Sequence, residues 1–228
     1  MAKKVVLTEQ EKLQQEKVEE RVSAVDQFFK ENGKYIWACA IALLVIGAAI
    51  LCYQRFYLQP KKAEAAAQMF PAETNFGAGN YELALNGDGN VLGFAQVIED
   101  YGSKAGKAVW FYAGVCEYQL GNYENAVNYL KKYNGKDPIL AARALSCQGD
   151  ALVGLERFND ALACYEKAAA KADNMFAAGY LLRAGVLCEE MGDPQKALTF
   201  YKKIKDQYPQ SMEGYDIDRY ISRIENAE

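Results

Sequence analysis

The sequence contains no histidine. That removes the commonest general base and the commonest zinc ligand, and it excludes Ser–His–Asp and Cys–His arrangements outright. The six cysteines form no C-x-x-C pair, so neither a zinc ribbon nor a thioredoxin motif is present. Carboxylate or lysine chemistry stays open in principle, but no acid, base and nucleophile converge. No catalytic residue, metal ligand, cofactor or small-molecule substrate is therefore assigned. Positive charge is also short where most of the chain lies. Residues 56–228 hold 18 Lys/Arg against 23 Asp/Glu, whereas residues 1–55 hold 8 against 7. An acidic main domain repels phosphates, which argues against nucleic acid as a partner.

Charge is missing altogether from Tyr35 to Tyr53, YIWACAIALLVIGAAILCY. As a helix this run spans roughly 28 Å, close to the thickness of a bilayer core. Lys34 and Arg55 flank it, with Tyr35 and Trp37 at one end and Tyr53, Phe56 and Tyr57 at the other. That is the aromatic-belt arrangement of a membrane span. Seven acidic residues precede it, no small-x-small cleavage site follows it, and Leu51 stands before Cys52 where a lipidation signal wants a small residue. The run reads as an uncleaved anchor in contact with lipid. Four basic residues precede it closely (Lys17, Arg21, Lys30, Lys34) and three follow (Arg55, Lys61, Lys62), which favours an N-terminus in the cytoplasm.

Residues 1–34 form a polar N-terminal segment. Thr8 and Glu11 make a capping box, and Val18, Val22, Val25 and Phe29 fall on one helical stripe. This suits a short helix along the membrane surface or a docking helix for a partner.

Beyond the span, three segments superimpose with a period of 35 and then 36 residues. Gly114, Gly149 and Gly185 align, then Ala126, Ala161 and Ala197, then Leu130, Tyr165 and Tyr201. Each unit is a pair of antiparallel helices, A and B. The small residues let two backbones approach, and the large one fills the space beside them. Turns fall at Leu120-Gly121-Asn122-Tyr123, Leu155-Glu156-Arg157-Phe158 and Met191-Gly192-Asp193-Pro194. Asn122, Asn159 and Asp193 suit the start of helix B, and Pro138 and Pro209 are expected to stop two B helices. Cys116, Cys147, Cys164 and Cys188 sit singly in these helices as small packing residues; in an oxidising compartment some of them could pair.

The pattern resembles the tetratricopeptide repeat, W-x2-L-G-x2-Y, then A-x3-F, then A and P. Lys107–Leu140 matches through Trp110, Gly114, Gly121, Tyr123, Ala126 and Pro138. Ala142–Met175 matches through Gly149, Phe158, Ala161, Tyr165 and Ala168. Ala178–Ser211 matches through Gly185, Gly192, Ala197, Tyr201 and Pro209. Glu117 and Asp173 depart from the pattern, where Tyr and Pro are expected. The resemblance implies an all-α chain: a transmembrane helix (35–53), a helical continuation with a degenerate capping repeat (54–101), three repeats (102–211) and a closing helix (212–228). In the capping region Gly79-Asn80-Tyr81-Glu82-Leu83-Ala84 is similar to a repeat turn, Pro71 is expected to interrupt the helix before it, and Asn86-Gly87-Asp88-Gly89-Asn90 reads as a plain turn. Tyr215, Ile217, Tyr220, Ile221 and Ile224 mark the apolar face of the closing helix.

The whole arrangement is similar to the family of ancillary SecYEG translocon subunits, inner-membrane proteins of bacteria with a periplasmic repeat domain. That resemblance implies a single-pass, non-enzymatic scaffold with its N-terminus in the cytoplasm, binding other proteins or peptide segments at the translocon or with chaperones. The alternative is a cytoplasm-facing membrane adaptor or assembly factor. The repeat register puts Phe111, Val115 and Tyr118, then Ser146, Asp150 and Val153, then Leu182, Val186 and Glu189 on the inward face of the A helices. This groove is expected to be apolar with an acidic side, suited to apolar and basic segments. The positions of a carboxylate clamp hold Phe111, Val115, Cys147 and Gly179, with only Arg183 basic, so no clamp for a C-terminal carboxylate is expected.

Overall fold

From Glu9 to Cys52 the chain is one α-helix, α1, followed by a π-helical segment, Tyr53–Leu58. The computed structural model describes the backbone of residues 9–172 and 174–226, and the side chains of 23, 27, 30–172 and 174–226. Thr8, the side chains of Glu11, Val18, Val22, Val25 and Phe29, and Asp173 lie outside the described residues. The expected polar N-terminal helix is not a separate element, because no break divides it from the apolar run. Among the described residues, one helical stretch is long and apolar enough to cross a membrane. Its most apolar 18-residue window has a mean hydropathy of 2.5, and none of that window is buried. Side chains such as Trp37, Leu44 and Leu51 are largely exposed.

The second unit, Pro60–Glu228, is a stack of helices with its own cores. It contains α2 (Gln59–Gly77), α3 (Tyr81–Asn86), α4 (Phe94–Tyr101), α5 (Ala108–Gln119), α6 (Tyr123–Lys132), α7 (Pro138–Gly154), α8 (Phe158–Ala172), α9 (Ala177–Glu190), α10 (Pro194–Gln207) and α11 (Met212–Glu225). From α5 onward each helix packs against the next, so the connections alternate between two ends of the stack. The pairs α5/α6, α7/α8 and α9/α10 are the three repeats. Among the described residues the extended pairing is confined to one bridge, Gly87 to Leu92.

The glycine register explains how close the pairs lie. A Cβ on Gly114 would meet Leu130 Cγ at 2.6 Å, and one on Gly149 would meet Tyr165 Cε1 at 2.6 Å; one on Gly185 would overlap the Tyr201 ring. Ala126, Ala161 and Ala197 are fully buried. Each A helix ends in the same turn. Gly121, Glu156 and Gly192 have positive φ (81°, 58° and 77°), and the next residue's N–H returns to the carbonyl five residues back. Gly79 and Asn80 close α2 in the same way, so the capping region carries the repeat's turn.

Several expectations need correction. Pro71 does not interrupt α2, since the helix continues past it to Gly77. Pro138 starts α7 rather than stopping α6, which ends at Lys132. Its missing N–H costs nothing at the first helical position, and Asp137 caps the helix by accepting from the Leu140 N–H at 2.9 Å. Asn159 lies inside α8, because the turn register places Arg157 where Asn122 and Asp193 stand. Asp193 does cap α10, accepting from the Lys196 N–H at 3.0 Å, whereas the Asn122 side chain instead donates to Glu117 at 2.8 Å. That bond accounts for Glu117, a buried acid where the repeat favours Tyr. In α11, Ile217, Ile221 and Ile224 are buried and Tyr220 packs on Tyr201, but Tyr215 points to solvent. The Asn86–Asn90 loop is a turn held by Asp88, whose carboxylate accepts from the N–H groups of Asn90 and Val91. Those bonds hold its carboxyl below the usual range. Cys116, Cys164 and Cys188 are buried and Cys147 half-buried.

Candidate protein-binding groove

The A helices α5, α7 and α9 carry the nine sequence-derived positions, and α11 follows them in the stack. Phe111 is 4% exposed and packs with Leu130 and Ala144 between α5, α6 and α7, against the rings of Tyr112 and Tyr133. Ser146 is buried as well. Neither has surface to offer a partner. Their positions fall on the side of the A helix that meets its neighbours, because the apolar face of α5 is wider than one stripe. Val115, Tyr118, Val153 and Leu182 are half-buried at the margin of the cores, and Val186 is exposed.

Asp150 and Glu189 are not free acids. The Tyr165 hydroxyl donates to Asp150 at 2.8 Å, and Arg183, from the next A helix, forms an ion pair with the same carboxylate. The Tyr201 hydroxyl donates to Glu189 at 2.5 Å, and Arg223 from α11 binds both of its oxygens at 2.7 and 2.9 Å. The acidic side expected of the groove is thus taken up in joining one repeat to the next. Burial, together with the adjacent carboxylates, pushes both phenols well above the usual tyrosine range.

The two locks are one device shifted by a helical turn. In repeat register Glu189 aligns with Val153, one turn beyond the position of Asp150. Arg223 is likewise one turn beyond the position that continues Arg183. At the first junction the aligned residues are Val115, Leu130 and Cys147, and that contact is apolar. Sequence reasoning missed Arg183 and Arg223 as lock residues. The signal was there: Tyr replaces Leu130 in the two repeats whose A helix carries a carboxylate on that face.

Tyr118 on α5 and Tyr180 on α9 each lie within electrostatic reach of Cys147, Asp150 and Arg183. Burial raises the phenols of Tyr118 and Tyr180, and it pushes the Cys147 thiol up to about 11, so that the thiol stays protonated near neutrality. Among the described residues no group of three or more Cys, Asp or Glu side chains is placed to hold a metal ion.

Comparison with known proteins gives two family matches, both to the tetratricopeptide repeat, over residues 108–138 and 148–211. No curated protein matches the chain. The first match begins with α5, and the second runs from α7 to the start of α11. Three helix pairs in one register, closed by the same turn, coincide with these two matches, and this part of the chain is built of tetratricopeptide repeats.

Proposed function

We propose that the chain is a single-pass membrane scaffold that holds a segment of another protein against its A helices. Tetratricopeptide repeats are protein-interaction modules, and the observation that carries the membrane reading is the uncharged run Tyr35–Tyr53 with its aromatic ends. Apolar residues open to a partner come from all three A helices: Tyr118 on α5, Val153 on α7, and Leu182 and Val186 on α9. Because Asp150 and Glu189 are paired, this surface favours an apolar segment over a basic one. The charge bias around the span supports an N-terminus in the cytoplasm and repeats outside it. The resemblance to translocon-associated subunits supports a bacterial inner membrane and partners among secreted chains or their chaperones.

Two experiments test this. Leu182→Ser and Val186→Asp are combined in the full chain, which is solubilised and co-purified with its partners; helicity by circular dichroism controls for folding. Loss of captured protein with unchanged helicity is expected, and unchanged capture removes the groove from consideration. For topology, alkaline phosphatase fused after Glu228 is expected to be active. An inactive fusion, with a cytoplasmic reporter active at the same point, reverses the orientation and leaves the adaptor reading.

A further inference from the structure

The two ends of the helix stack in Pro60–Glu228 differ in charge and in exposed apolar surface. The end that carries the connections between repeats comprises residues 129–141, 168–180 and 203–215, with six Lys and four Asp/Glu. The end that carries the turns within repeats comprises residues 115–127, 151–163 and 186–198, with two Lys/Arg and seven Asp/Glu. Segments of equal length thus differ by seven units of net charge within a unit that is acidic overall. The start of α2 belongs to the basic end too, because Glu64 accepts from the Tyr101 hydroxyl at 3.0 Å at the close of α4. That contact adds Lys62 and the ion pair of Lys61 with Glu64, 2.9 Å long, a net gain of one positive charge.

Exposed apolar side chains divide the same way. At the basic end Ile139, Met175, Phe176, Met212 and Tyr215 are 49% to 86% exposed, and each connection between repeats from α6 onward presents at least one. At the acidic end Leu120, Phe158 and Met191 reach only 36% to 38%. Large apolar tips among lysines, repeated from loop to loop at one end, are the composition of a surface that settles into an anionic bilayer: apolar tips enter the headgroup layer and lysines meet its charge. A partner protein with an acidic patch would satisfy the lysines but would not explain large exposed apolar side chains at each of the three connections.

We infer that the inter-repeat end of this unit binds the surface of an anionic lipid bilayer. The inference rests on features of Pro60–Glu228 alone and does not depend on the span at 35–53 or on the groove. The unit closes its own cores, so the soluble fragment 60–228 serves as the probe. The assay is co-flotation with vesicles of phosphatidylcholine alone or mixed with phosphatidylglycerol. Binding to the mixed vesicles only, weakened by added salt, is expected. Lys136→Gln and Lys171→Gln should each weaken it about fivefold, which is the loss of roughly 1 kcal/mol per surface lysine. Phe176→Ser with Met212→Ser should weaken it at unchanged net charge, whereas Arg157→Gln and Lys196→Gln at the other end should not. Four results overturn the inference: no flotation with the mixed vesicles, equal flotation with both, equal loss from substitutions at either end, or a basic end that captures an acidic protein but no vesicle.

Discussion

Replacing Gly149 by Ala tests how tightly helix A is fitted to helix B. Gly149 lies inside α7, where Ala is favoured over Gly by about 1 kcal/mol. Propensity alone therefore predicts stabilisation. The new Cβ, however, would stand 2.6, 2.9 and 3.1 Å from Cε1, Cδ1 and Cζ of Tyr165. Tyr165 is buried, and its hydroxyl is held by Asp150, so the ring cannot pivot away without lengthening that bond. Overpacking of this kind costs about 1–3 kcal/mol, and a weakened buried hydrogen bond adds about 1 kcal/mol. The net expectation is a loss of about 1–3 kcal/mol, a fall in Tm of several degrees for a unit of this size. Gly77→Ala is the control. It ends α2 with no atom within 4 Å of an added Cβ, so it should raise Tm slightly. On a Tyr165→Phe background the ring is untethered and Gly149→Ala should cost less. Thermal melts of fragment 60–228, followed by circular dichroism, measure all three. A Gly149→Ala variant that melts at or above Gly77→Ala would refute the packing argument.

Two further outcomes follow from backbone and protons. Glu156 occupies the left-handed position that Gly121 and Gly192 fill in the other repeats, with φ 58°. Glu156→Gly should raise stability by about 0.5–1 kcal/mol, since an L-residue there carries about 1–2 kcal/mol of strain, offset in part by glycine's freedom in the unfolded chain; a lower urea midpoint would contradict it. Stability should also fall as pH rises from about 8 to about 10. Unfolded thiols and phenols release protons near pH 8.5 and about 10. In the folded state burial holds Cys116 up to about 12 and Cys147 up to about 11, with Tyr165 and Tyr201 higher still. The native state then binds more protons than the unfolded one, so stability present below the unfolded pKa values is lost above them. Cys116→Ala and Cys147→Ala should flatten the early part of the fall in urea midpoint, and a flat wild-type profile would contradict the burial of these groups.

The helix pairs were legible because their signal is steric and periodic. A glycine, an alanine twelve residues on and a large residue four beyond that define a close approach of two backbones, and no other element repeats it at 35 residues. The groove was less legible, because periodicity gives the face of a helix but not the width of its contact. Phe111 and Ser146 share the stripe of Val115 and Asp150 yet are buried by the neighbouring repeat. Pro138 and Asn159 were misread for a simpler reason. A proline or a turn-former marks a boundary, but whether a helix ends or begins there depends on residues that side-chain type alone does not order. The pairing of Asp150 with Arg183 joins residues 33 apart, and such a contact becomes visible only once neighbouring repeats are stacked.

The one-turn shift between the two locks decides what the groove shows to a partner. On each A helix two positions one turn apart point toward the next repeat: Val115 and Tyr118, Asp150 and Val153, Val186 and Glu189. Aspartate is short and sits directly after the glycine, near the tyrosine hydroxyl that the glycine's gap admits. Glutamate is longer and reaches the equivalent hydroxyl from the next turn. In each ionic repeat one position is thereby consumed by the lock, and the other is valine. In the first repeat, where Leu130 replaces the tyrosine and no hydroxyl needs an acceptor, neither position is charged. Tyr118, Val153 and Val186 are thereby left outside the locks; Tyr118 and Val153 are level in the repeat register, and Val186 lies one turn before them, with Leu182 a further turn back on the same helix. A segment laid against all of them would run level across α5 and α7 and step one turn at α9, and it would find no unpaired carboxylate at Asp150 or Glu189 to select its charge.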